Sequence, residues 1–317
     1  MDRARTACLL IAAAGLLVGA GGVGLKARLH PARWLAPGAD APQALSSSFT
    51  ECLARPTDAN QAYLVELGRS AFRTPMLLGG QAARAGLACE SCHQAGRRNP
   101  DFFFPGLSGA PGTADVTSAL FSSHRDDGID NPKPIPDLSS PKSALKVSQD
   151  PARGDLERFI HGLITEEFDG AEPPPAVLAG LAAYVRALGP GACPREARAP
   201  VRTESFVEEA RRSVRVAEAA LAHGDSAAAI LMTDGARWRL GLINERYDDP
   251  TSADARAALK AADLDLLAAQ VAIRAGDPGA KVRLGLWLAR STAWAQILAR
   301  EEPRSLFDRA RLAAEGS

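Results

Sequence analysis

The sequence predicts an all-α protein in which a helix-poor, proline-broken first unit is followed by an antiparallel helical bundle. Three observations carry this. Most of the 22 prolines precede residue 200, and beyond it the chain turns to alanine, leucine and arginine. Apolar residues recur at helical spacing near residues 63–72 and 177–188. After residue 204 an apolar stripe repeats at an offset of 52 residues: Val207, Ala210, Val214, Ala217 and Leu221 become Leu259, Ala262, Leu266, Ala269 and Ile273.

At the start, Arg3 and Arg5 precede an uncharged apolar run from Ala7 to Leu25. This is the pattern of an export signal, and the run also approaches the ~20 apolar residues that span a bilayer. Val18-Gly19-Ala20 offers a small-residue cleavage site. Residues 1–30 are therefore read as a signal peptide or a membrane anchor. The remainder of the chain is expected to be periplasmic, with N-terminal membrane association where the leader is kept. Residues 31–49, with Pro31, Pro37, Pro42 and three consecutive serines, read as a tether.

The unit over residues 50–195 opens with Asp58 as a helix cap, ahead of Tyr63, Leu64, Leu67, Ala71 and Phe72, with Pro75 as the stop. Its last helix follows Pro173-Pro174-Pro175, carries Val177, Leu178, Leu181, Tyr184, Val185 and Leu188, and ends at Gly189-Pro190. Between them lies Cys89-Glu90-Ser91-Cys92-His93. Two thiols three apart followed directly by an imidazole form the attachment signature of a c-type haem: the thiols can add to two vinyl groups of one porphyrin, and the histidine is then held under the iron. A zinc site would need a second pair of ligands, and no other close Cys/His pair exists in the sequence. One covalent haem c is the expected cofactor. Phe102, first of the Phe102-Phe103-Phe104 run, is a candidate wall for the porphyrin, and Arg97, beside Arg98, a candidate counter-charge for its propionates.

Helices flanking such a motif resemble the class I cytochrome c fold, with Gly68 and Phe72 matching its first-helix pattern and Leu181, Tyr184 and Leu188 its last. The stretch from Leu67 to Leu77, ahead of the haem motif, resembles a domain of the bacterial di-haem cytochrome c peroxidase family over roughly residues 62–190. This chain departs from that family in carrying a single such motif, so one haem is expected and the second, electron-relaying haem of the family is absent.

The sixth iron ligand is open in the sequence. No methionine lies between His93 and the end of the unit, since the chain has only Met1, Met76 and Met232. His124, in a polar irregular stretch, is the preferred candidate, because loops carry functional side chains over a rigid scaffold. His161, Met76 and an open or water-bound position are the alternatives. Cysteine arithmetic leaves Cys52 and Cys193 as a pair bracketing the haem segment, and in an oxidising compartment they are expected to be bridged.

Residues 203–317 read as two related hairpins, roughly 204–247 and 252–300, whose Gly224-Asp225 and Gly276-Asp277 turns obey the same 52-residue offset, with a short helix after Pro303. Four antiparallel helices make a bundle. It lacks the paired Glu-x-x-His motif of a di-iron site and is expected to serve structure or the docking of redox partners. With 37 basic and 37 acidic residues, bulk charge excludes an electrostatic case for nucleic acid. Two functions are compatible with the pattern: one-electron transfer, or a peroxidase-like oxidoreductase if the sixth position is exchangeable.

Overall fold

The computed structural model describes residues 25–125 and 127–315. Helix α1 (Ala59–Ala71) starts where the Asp58 carboxylate accepts the Gln61 amide at 2.8 Å, so one orphan donor of the first turn is satisfied. It crosses α3 (Pro175–Ala187) through two glycines. A Cβ added at Gly68 would lie 1.9 Å from the carbonyl oxygen of Gly180, so the backbones touch where neither residue has a side chain. Leu67, Leu181 and Tyr184 are buried at this crossing. Between the two helices, α2 (Asp155–Gly162) continues into a π-helical turn over Leu163–Glu167. Most of residues 97–150 is irregular, held by backbone hydrogen bonds and by the short antiparallel pair Thr113–Ala114 and Lys133–Pro134.

The second unit consists of α4 (Thr203–Ala222), α5 (Ser226–Arg246), α6 (Ala253–Arg274) and α7 (Ala280–Glu301), followed by α8 (Arg309–Glu315). Each of the four long helices packs on the next, and α7 closes on α4, giving a four-helix bundle. The repeat is visible in its core: Val207, Ala210, Val214 and Ala217, like Leu259, Ala262, Leu266, Ala269 and Ile273, are all buried. Leu221 is half-buried at the end of its stripe. The equivalent turn residues Gly224 and Gly276 have φ of +76° and +67°, the left-handed conformation glycine adopts without cost.

Two features depart from the sequence reading. The units at 50–195 and 203–317 share one continuous apolar core, a contact no sequence pattern indicates, because α1 packs on α4 and α5. Residues 31–49 are not a free tether. Leu25, Leu29, Ala32, Leu35 and Leu45 bury against Leu306 and Leu312, and buried Arg246 donates to the carbonyls of Leu45 and Leu306. The prolines and serines hid widely spaced apolar residues, which short helical turns bring onto one face. Ser47–Phe49 then pairs antiparallel with Arg198–Pro200. Among the described residues no helix is long and apolar enough to cross a membrane, and the apolar run from Ala7, apart from Leu25, lies outside them.

Beside that two-stranded pair, Cys52 and Cys193 are joined in a disulfide, as cysteine arithmetic predicts. Native protein should resist alkylation at both positions. Cys52→Ala/Cys193→Ala should lower unfolding stability by about 4 kcal/mol, the scale for so long a loop; an unchanged denaturant midpoint would show that the bridge contributes nothing.

Candidate functional site

Cys89–Cys92 form a single helical turn, and the chain then reverses through His93 and Ala95. Ala95 holds φ +55°, a left-handed conformation rare for a residue with a side chain and of the kind that concentrates at functional sites. Several bonds fix the turn. Asn99 donates its side-chain amide to the Ser91 carbonyl at 2.8 Å and its backbone amide to the Cys92 carbonyl at 3.0 Å. Glu90 accepts the Ala95 amide at 3.0 Å. A Cβ at Gly96 would meet Leu188 at 2.4 Å, so the end of α3 lies directly on the turn.

The His93 ring lies 6.3 Å from that of Phe72, and its Nδ1 is 3.0 Å from the Pro136 carbonyl oxygen. A carbonyl can only accept, so Nδ1 carries the proton and the Nε2 lone pair is free. Burial pushes the imidazolium down to about 4 against the Pro136 carbonyl and Asp137, so the ring is neutral at pH 7. Cys89 and Cys92 are unbridged and pack on the apolar core. Burial pushes the Cys89 thiol up to about 12 and Cys92 higher still, so neither is an isolated reactive thiolate.

The other predicted residues are distributed differently. Phe102 is fully buried and bridges to Leu35 through the backbone. Its neighbour Phe104 stacks on Trp34 at 5.0 Å and meets Phe121 edge-on. Arg97 lies 3.5 Å from Asp137 and over the Phe49 ring, so its charge is partly used within the chain. His124 is on the surface, 63% exposed and 3.9 Å from Asp169; reaching a buried iron would require its loop to fold inward. His161 pairs with Glu172 at 2.8 Å on the surface, and Met76 is exposed.

Sequence reasoning missed a charge cluster behind the turn. Arg73, buried, contacts Glu51 at 2.7 Å and Glu90 at 3.3 Å, while Glu51 also pairs with Arg69 and accepts the Tyr184 hydroxyl at 2.8 Å. The only signal was Arg69 and Arg73 four apart, the first in the last turn of α1 and the second just beyond its end. It also missed Glu167, buried in the π-turn, whose carboxyl burial pushes up to about 7. Behind Glu90 and Ser91 lies a cavity of about 360 Å³, walled by Trp34, Phe206, Trp238 and Arg239.

Comparison with models of known families, with curated proteins and with solved structures finds no match. The site therefore stands on its own chemistry. Two unbridged thiols and a neutral imidazole with a free lone pair, all within five residues, form a donor set that fits one covalently held haem.

Glu51 supplies a test of the cluster. Burial alone would raise its carboxyl, but Arg73 and Arg69 outweigh that and hold it at about 2, below the ordinary 4.5. Its contribution to stability is thus present above pH 4.5 and lost as pH falls toward 2. The size is about 3 kcal/mol. Glu51→Gln should lower stability at pH 7 and flatten the acid limb between those values; an acid limb as steep as wild type would remove Glu51 from this role.

Proposed function

We propose that this chain is an exported c-type cytochrome that carries one covalent haem and passes single electrons. The observation that carries the reading is the attachment turn itself: Cys89, Cys92 and a neutral His93 oriented by the Pro136 carbonyl. Cys89 and Cys92 would hold the haem by thioether bonds and His93 would be its proximal ligand. The bound haem supplies a reversible one-electron couple. The protein's own part is to fix the imidazole, exclude water with Phe72 and Leu188, which lie against the turn, and hold the motif rigid.

A class I-like haem domain is the fold reading, supported by the close crossing of α1 and α3 at Gly68 and Gly180. Redox proteins in the periplasm are the proposed partners, with the bundle available to dock them. His124 is the proposed sixth ligand, carried inward by its loop. The exposure of His124, His161 and Met76 together favours a second reading, a peroxidase-like oxidoreductase with an open sixth position.

The optical spectrum of purified holoprotein separates the two. A low-spin ferric iron indifferent to cyanide and peroxide is expected, turning high-spin in His124→Ala and staying low-spin in His161→Ala. A wild-type iron that is high-spin and binds cyanide would select the enzyme instead.

A further inference from the structure

The charge cluster behind the attachment turn does not end in the haem unit. The Arg73 guanidinium that contacts Glu51 and Glu90 also lies 3.6 Å from Glu209, which is on α4 of the bundle. Glu209 in turn pairs with Arg239 of α5 at 2.7 Å. Arg212 of α4 pairs with Glu66 of α1 at 3.0 Å and lines the same small recess as Arg69 and Arg73. Two helices of the bundle thus contribute an acid and two bases to a network whose far end, Glu90, is the residue directly after the first haem-attaching cysteine.

The seam is close-fitting. A Cβ at Gly235 of α5 would lie 2.4 Å from the Thr74 hydroxyl, next to Arg73 in sequence. The recess between Arg69, Arg73, Glu209 and Arg212 has about 10 Å³, the room of one water molecule. Arg73 at the centre of the network is buried and its partners are partly withdrawn from water, so these charges are screened less than those of surface pairs. Solvent meets the network from the cavity side, behind Glu90.

On the reading of the chain as a mono-haem cytochrome, we propose that the bundle is the electrostatic half of the haem site, with Glu209 and Arg212 as positioning charges that set the haem's reduction potential through the Arg73–Glu90 contact. The sign comes from charge. Oxidation makes the haem more positive, so a nearby carboxylate stabilises the oxidised state and lowers the potential, and a nearby guanidinium raises it. Removing Glu209 must raise the potential, and removing Arg212 must lower it. A merely structural role would loosen the seam in both variants and move the potential in one direction.

The experiment is a redox titration of full-length holoprotein at fixed pH and ionic strength. It compares Glu209→Gln, Arg212→Gln, the charge-conserving Glu209→Asp, and Glu218→Gln. Glu218 is a bundle acid whose neighbouring charge is Lys281, outside this network. The expected result is an upward shift for Glu209→Gln, a downward shift for Arg212→Gln, and potentials near wild type for Glu209→Asp and Glu218→Gln. Shifts of the same sign, or none in either variant, would overturn the proposal. Should Glu209→Gln fail to fold, Arg212→Gln against the Glu218→Gln control decides alone. Wild-type protein that holds no covalent haem would defeat the underlying cytochrome reading instead, and is recognised before any titration by haem staining on a denaturing gel.

Discussion

Cys89→Ala/Cys92→Ala is expected to abolish covalent haem attachment entirely. The two thiols sit one helical turn apart on a segment whose backbone is tied down by Asn99 and by the contact of Gly96 with Leu188, so both face the core from a fixed base. Without them His93 alone would hold the group through one coordination bond, which acid and denaturant break. The measurement is haem staining after denaturing electrophoresis, together with acid-ketone extraction. Wild type should keep one haem per chain through both, and the double variant none. Wild-type haem that extracts would refute covalent attachment. A chain that never acquires haem when produced with a c-type maturation system would refute the cytochrome reading altogether.

Gly68→Val is expected to be the most damaging single change outside the motif. Any Cβ there would be driven to 1.9 Å from the Gly180 oxygen and 2.2 Å from its carbonyl carbon. Both are backbone atoms, so no rotamer change relieves the contact, and α1 must separate from α3 along its length. Even Gly68→Ala, which gains about 1 kcal/mol of helix propensity, should lose more than that. For valine the loss should exceed about 4 kcal/mol, the range in which marginally stable domains unfold. Gly241→Ala is the matched control: it is also a helical glycine, with open space around its Cβ direction, and should leave stability unchanged or improve it by up to about 1 kcal/mol. Comparable thermal midpoints for Gly68→Val and wild type would mean that the two helices do not cross as described.

The parts of the fold legible in the sequence are those written in local pattern. Asp58 marks the start of α1, Gly189-Pro190 comes just after the end of α3, and the 52-residue offset locates both hairpins of the bundle together with their turn glycines. The disulfide was legible for a different reason, since counting thiols left only one pair. What escaped was written in no period. Glu51, Arg73, Glu90 and Glu209 come from four separate segments, and nothing in the spacing of isolated charges says that they meet. Leu29, Leu35 and Leu45 were masked by the prolines and serines around them, so a packed strap read as a linker. The placement of His124 depends on the path of an irregular loop, which no pattern specifies. The turn over Cys89–His93 is the most local of these features, because its donor set lies within five consecutive residues.

The pairing of Ser47–Phe49 with Arg198–Pro200, reinforced by the Cys52–Cys193 bond, has a mechanical consequence. The chain enters and leaves the first unit at almost the same place. A pull between the N-terminal strap and the bundle passes across the strand pair and then the sulfur bridge, bypassing the residues between them. The enclosed segment, with a sequence separation of 141, would release about 480 Å of slack if stretched, but only after reduction. Under load in an oxidising environment, tension along the covalent chain crosses at the sulfur bridge, and the backbone bearing Cys89, Cys92 and His93, packed against the bundle, carries none of it.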